Sequence, residues 1–385
     1  MIAKEFKREA IVLYLISILF FISITAFDPF ISTYANELGL NPSVIGTIVG
    51  AAGIASMLSR FPVGIISDFI DKKRLIIQMG LVVTIIAWSF AFINPSAISL
   101  YIAKIADGLT GATWVIYNVM FVSYFSKKEA AKAVGILAIV SPLGSFIGSF
   151  VGGLIANEYG YKYSFLVAII AAALALLLTF TLKKEKKEVH NIKHHNLGIV
   201  KKQLADKYIW LLGILAIIST MVPFATRDTF TPIIATELGA NPIFITILSN
   251  VHMITNAVAA SLTGTFFYKR IGLVNTAILG AVGQGIIAIM VPFASNLGML
   301  LFLQGLAGFT FGLSFTVLTS LSIDEVPPEE QSTRMGLFQS IYSVGMFFGP
   351  MLIGNVAEHN SMVIGFMIIG VISILSGILT KKLRH

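Results

Sequence analysis

Long apolar stretches broken by short polar punctuation run the length of the chain. Twelve of them fall at residues 10–35, 43–67, 74–93, 97–124, 132–156, 162–182, 208–236, 242–267, 272–293, 296–322, 334–357 and 361–380. Each is close to or longer than the run of about 20 apolar residues that a helix needs to cross a bilayer. The pattern therefore predicts twelve membrane-spanning helices, called spans 1 to 12 in chain order. Lys4, Lys7 and Arg8 precede the first stretch. That stretch is too long for a signal-peptide core and is expected to be kept as span 1.

The polar punctuation is biased in charge. All of the 27 Lys and Arg residues except Arg60, Lys104, Lys162 and Arg227 lie before span 1, after span 12, or in the loops that follow even-numbered spans. By the positive-inside rule this predicts both termini and every even-to-odd loop on the cytoplasmic face of a cell membrane. One of those loops is long and polar, 183–207, and divides the chain into bundles 1–182 and 208–385. It carries His190, His194 and His195, but a solvated basic linker beside anionic lipid explains it better than a metal or nucleic-acid site.

Composition narrows the class further. Of 385 residues, 56% are hydrophobic and 12% charged, too few polar side chains to coat a soluble protein of this size. The net charge of +8 follows the loop bias, so no nucleic-acid partner is expected. Cysteine is absent, which removes disulfides, thiolate metal sites and Cys nucleophiles. No HExxH, phosphate loop or nucleophile elbow occurs, so an enzyme is not expected, nor is a cofactor or a bound metal.

The two bundles repeat each other. Asp28, Phe30, Ala35, Glu37, Leu38, Gly39, Asn41 and Pro42 recur 200 residues later as Asp228, Phe230, Ala235, Glu237, Leu238, Gly239, Asn241 and Pro242. Gly64 maps to Gly264 at the same offset, and Gly108 and Gly111 correspond to Gly305 and Gly308. One six-helix unit is used twice.

After span 2 stands Arg60-Phe-Pro-Val-Gly64-Ile-Ile-Ser-Asp68-Phe-Ile-Asp-Lys72-Lys73-Arg74. Span 5 carries Gly135, Gly144, Gly148, Gly152 and Gly153, and span 11 carries Gly336, Gly345, Gly349, Pro350 and Gly354. With the span count and the six-plus-six division, these motifs resemble the major facilitator superfamily over the full length, and in particular its twelve-helix proton-antiporter branch of drug and metabolite exporters. The resemblance implies an all-α membrane fold of two pseudo-symmetric six-helix bundles. It also implies a gate in which Gly64 allows close helix approach and Asp68 meets a facing helix N-terminus and the basic cluster. Phe69 and Asp71 depart from the family pattern. The glycine stripes are expected to let backbones touch across the junction of the two halves.

Apart from Arg60, the residues at span ends and His252, five ionisable residues fall inside spans: Asp28, Lys104, Asp107, Arg227 and Asp228. Charges in hydrocarbon are costly and functional by default. Counting along the spans puts all five at one depth, and three carboxylates against two cations leave one negative charge over, which a proton or cation would relieve. His252 on span 8 is a further proton-relay candidate. The resemblance places spans 1, 4, 7 and 10 around a central path. Helical spacing then extends its walls as Phe21, Thr25, Asp28 and Ser32, as Lys104, Asp107, Gly111, Trp114 and Asn118, and as Gln304, Gly308, Phe311 and Phe315. The leading expectation is a secondary transporter working by alternating access, proton-driven and exporting small, partly lipophilic molecules. A proton symporter or facilitator importing a sugar, organic acid or other metabolite is the alternative within transport, and a non-transporting membrane sensor the alternative outside it. Expected partners are a small-molecule substrate, protons and the lipid bilayer, with a monomer as the working form.

Overall fold

The computed structural model describes residues 7–69, 73–125, 129–182, 197–324 and 326–383, and every regular element among them is helical. Eleven helical runs among the described residues are long and apolar enough to cross a bilayer. The longest, Pro242–Phe293, is 52 residues and holds two spans. Gly272 interrupts it at φ 77° and ψ 166°, a left-handed conformation that glycine adopts without steric cost. Large apolar side chains face outward, such as Ile98 at 69% exposed and Phe302 at 66%. Surface of that kind belongs against lipid.

The spans are not all straight. Span 1 is built from Lys7–Thr25, a tight turn Asp28–Phe30 and a short helix Ile31–Glu37. Pro29 lacks the backbone N–H that an unbroken helix would need there. Span 7 repeats this plan with Lys207–Ala225, a widened π turn Thr226–Phe230 and Thr231–Glu237. Span 4 is divided as Ala97–Ala112 and Trp114–Ser123, whereas span 3 (Lys73–Ile93), span 10 (Leu297–Ile323) and span 12 (Met362–Thr380) are continuous.

The repeated string after each broken span has a local meaning. Gly39 and Gly239 take φ of 72° and 87°, stopping the short helices in the left-handed conformation favoured at helix C-termini. The N–H of Leu40 then donates to the carbonyl of Ala35, and that of Ala240 to Ala235. Pro42 and Pro242 open the next helices, where a missing N–H costs nothing. Asn241 caps its helix by accepting from the Phe244 N–H at 2.9 Å.

The described residues fall into two compact units, one of residues 1–29 and 58–194, the other of 30–57 and 195–385. In the first, Leu13, Ile16 and Phe20 of span 1 meet Leu81 of span 3, Tyr117 of span 4 and Val140 of span 5. In the second, Leu212 and Ala216 of span 7 meet Val317 of span 10 and Phe338 of span 11.

Glycines set the closest helix approaches. On span 5 (Ala130–Tyr159), Gly144, Gly148 and Gly152 lie against the backbone carbonyls of Ile18, Ile22 and Ala26, one glycine per turn against one carbonyl per turn. Gly345 and Gly349 of span 11 (Pro328–His359) lie likewise on Ile217 and Met221, and Gly308 and Gly312 of span 10 on His252 and Asn256. A Cβ at any of these positions would collide with backbone. This corrects the expectation for the stripes: most of their glycines join span 5 to span 1 and span 11 to span 7, within each half of the sequence. Span 11 also reaches span 2 of the other half, where Gly354 meets the Pro42 carbonyl, Gly46 meets that of Pro350, and Gly50 and Gly53 lie on Phe347 and the Ser343 carbonyl. Gly135 and Gly336 face open space, and Gly153 is buried.

Candidate functional site

Asp28 sits in the turn that breaks span 1, where its side chain stays 41% exposed. Lys104 reaches it from span 4, its Nζ 2.7 Å from Oδ1, although the lysine itself is only 8% exposed. One turn further on, Oδ2 of Asp107 lies 3.5 Å from the same Nζ. A single buried ammonium thus serves two carboxylates.

The other oxygen of Asp107 is held by a residue that the periodicity of spans 1, 4, 7 and 10 could not reveal. Trp88 of span 3 donates its indole N–H to Asp107 Oδ1 at 3.0 Å. The indole is buried and clamped by Phe27, at a ring-centroid distance of 5.4 Å, and Phe165, at 5.1 Å. A tryptophan in mid-span has one donor and needs an acceptor once buried, and that was the available signal. Asp107 Oδ2, by contrast, is buried and receives no hydrogen bond.

In the second unit, Arg227 and Asp228 pair with each other: Nε and Nη2 both approach Asp228 Oδ1 at 2.5 Å. The unmatched negative charge among the five ionisable groups therefore belongs to the cluster of Asp28, Lys104 and Asp107. His252 is buried against the Phe311 ring at 6.2 Å and has no hydrogen bond at either ring nitrogen. It lines a narrow, partly open cleft with Thr226, Gln284 and Phe311.

The expected wall residues divide into two groups. Phe21 and Trp114 pack edge to face at 4.7 Å, joined by Phe20 and Tyr117. In the second unit Phe311 stacks on Phe315 at 5.1 Å, and Phe315 meets Tyr342. These form two aromatic faces. Ser32 is fully buried and lines nothing, because the helix restarts at Ile31 and the spacing carried on from Asp28 is lost. Gln304 is also buried, donating to the Thr231 hydroxyl at 3.3 Å. Asn118 bonds back to the Trp114 carbonyl at 2.8 Å, and Thr25 to that of Phe21 at 2.6 Å.

Of the gating string, Lys72, the surroundings of Gly64 and the side chain of Asp68 lie outside what the structure describes, and Arg60 is half-buried. Lys73 begins span 3. Arg74 donates to the Leu182 carbonyl at 2.9 Å and lies over the Phe180 ring, so it secures the end of span 6. A second polar lattice holds the helix Leu197–Ala205 to the start of span 11. Buried Arg334 donates to Gln203, Asp206 and the Ser322 carbonyl, and Glu330 accepts from Lys202 and Gln203. The hydrogen bond from Lys202 holds the Glu330 carboxyl below its ordinary range.

A multi-pass helical protein with a sparse ionic cluster and aromatic faces inside its spans has the makings of a membrane transporter. The sequence profile of the Major Facilitator Superfamily matches residues 13–231 and 228–384, and the chain belongs to that family of membrane transporters. A relative from Methanocaldococcus jannaschii, an uncharacterized MFS-type transporter, is 23% identical over 98% of both chains. The fatty acid resistance protein FarB of Neisseria gonorrhoeae is 30% identical over 44% of this chain and 34% of its own length. A cis,cis-muconate transport protein of Acinetobacter baylyi is 22% identical over 32% and 30%. The chain thus spans about a third of the length of these last two relatives. Among solved structures, a bacterial homologue of the human lysosomal transporter Spinster superposes with a TM-score of 0.79 at 16% identity, covering 99% of this chain and 98% of that one. The nucleoside transporter NupG superposes with a TM-score of 0.77 at 17% identity, covering 97% and 99%.

Proposed function

We propose that this protein is a proton-coupled secondary transporter of the cell membrane that exports small, partly lipophilic molecules by alternating access. The halves 1–182 and 208–385 act as the alternating pair, and both termini lie with the 183–207 linker in the cytoplasm. One observation carries the coupling: a buried lysine shared by two carboxylates, an arrangement with one negative charge too many for a low-dielectric site unless a proton joins it. The aromatic faces around Trp114 and Phe315 support an apolar substrate body, as does the partial likeness to a fatty acid resistance protein. The partial likeness to a muconate transport protein supports the alternative of a metabolite as substrate.

The test is reconstitution in proteoliposomes with an imposed pH gradient. Uphill movement of a lipophilic substrate against the proton flux is the expected result, with loss of uphill but not downhill movement in Asp28→Asn. Movement of substrate with the protons would favour the import reading. No proton dependence at all would overturn the coupling.

A further inference from the structure

We infer that the proton of this cluster is bound by Asp107, at Oδ2, and that Trp88 is the positioning residue that presents this oxygen; the inference builds on the coupled-transport reading. The two carboxylates are not equivalent. Asp28 is 41% exposed and tightly paired with Lys104 at 2.7 Å, so both water and a counter-ion stand at its carboxylate. Asp107 is only 6% exposed, stands farther from the ammonium at 3.5 Å, and has one oxygen committed to the indole. Its remaining oxygen receives no hydrogen bond. A buried carboxylate oxygen whose nearest donor is an ammonium 3.5 Å away, with no hydrogen bond made, carries a desolvation cost, and a proton on that atom removes the charge. With it the cluster is neutral, one ammonium against one carboxylate.

The charged groups that face Asp107 are Lys104 on its own span and Asp28 on span 1. Span 3 presents Trp88, and Phe165 of span 6 packs behind that indole, neither of them ionisable. Trp88 therefore fixes which oxygen is free without adding charge, and the rigid Phe27 and Phe165 clamp keeps it from following the carboxylate. A donor group that engages the exposed face of Asp28 competes for Lys104's partner. The ammonium then turns to Asp107, and the proton leaves Oδ2. Exchange of one proton for one cationic or donor-rich ligand follows from the sharing of a single lysine.

The sequence repeat supplies a control. Gly108 corresponds to Gly305, so Asp107 corresponds to Gln304, and an amide fills that buried position in the second unit. The fold does not need a carboxylate there, and Asp107→Asn is expected to fold.

Trp88 sits in direct contact with the proposed site and can report on it. The chain has three tryptophans, so Trp114→Phe with Trp210→Phe leaves Trp88 alone. In that protein, purified in detergent without substrate, Trp88 emission is expected to change in one step with pH over the range in which the protein stays folded. Adding Asp107→Asn should abolish the step, and adding Asp28→Asn should displace it along the pH axis without abolishing it. A step that survives Asp107→Asn, one lost only in Asp28→Asn, or no step at all overturns the assignment. If the step belongs to Asp107 but proteoliposome transport ignores the pH gradient, the coupling reading fails and the proton site stands.

Discussion

Replacing glycines within one motif by alanine should have opposite effects depending on what each faces. Gly152 lies on the Ala26 carbonyl, and a methyl group there would force spans 1 and 5 apart by about an ångström. Overpacking of this kind costs about 1–3 kcal/mol. The gain from replacing glycine in a helix interior offsets about 0.5–1 kcal/mol of it. Gly152→Ala should therefore destabilise by about 1–2 kcal/mol. Gly135 stands in the same helix and the same motif with nothing near its missing side chain, so Gly135→Ala pays no collision and should gain about 0.5–1 kcal/mol. The assay is unfolding of purified protein by titration from mild detergent into dodecyl sulfate, followed by helix content. Equal effects of the two substitutions, or a stabilised Gly152→Ala, would refute the helix contacts described for span 5.

Four further outcomes are expected. Arg334→Met removes a cation whose partners include buried Gln203; the loss should be about 2 kcal/mol, below the range for a fully buried pair because Asp206 is 40% exposed, and should appear as faster proteolysis near the helix Leu197–Ala205. The Glu330 carboxyl is held low by Lys202, so its contribution to docking that helix is present above the ordinary glutamate range and lost as pH falls below it; protection of residues 197–205 from hydrogen exchange, relative to the intrinsic rate at each pH, should fall in acid, and Glu330→Gln should remove that dependence. For topology, a cysteine introduced at Lys162 should react with an impermeant reagent in intact cells and one at Lys381 should not. Glu358 accepts from Asn41 at 3.1 Å and from Ser43, tying the start of span 2 to the end of span 11; Glu358→Ala should raise labelling of a cysteine placed at Ser43.

Much of the fold could be read in the chain because a bilayer imposes a coarse rule: long apolar runs, charged loops on alternate sides. The repeated Ala-x-Glu-Leu-Gly-x-Asn-Pro string was legible as a duplication, and the structure shows it to be a helix stop and restart. Pairing inside the membrane was not. Lys104 and Asp28 are 76 residues apart, and nothing local says that they meet while Arg227 and Asp228 pair with each other. Trp88 lay outside the spans that the family resemblance marked as lining the path. Ser32 was misplaced because periodicity assumes an unbroken helix, and Pro29 breaks it. The glycine spacing was visible, but which helix each stripe touches depends on tertiary packing.

Those stripes bear on how many parts of the molecule can move independently. A helix seated with glycines every turn against its neighbour's carbonyls can neither slide along it nor roll about it without steric collision. Spans 1 and 5, spans 7 and 11, and spans 8 and 10 are thus geared together as three rods of two helices each. In spans 1 and 7 the last toothed contacts fall at Ala26 and Met221, just before the irregular turns at Asp28–Phe30 and Thr226–Phe230. Bending in these two rods is favoured at those turns, so Asp28, Arg227 and Asp228 sit at soft joints of the rods.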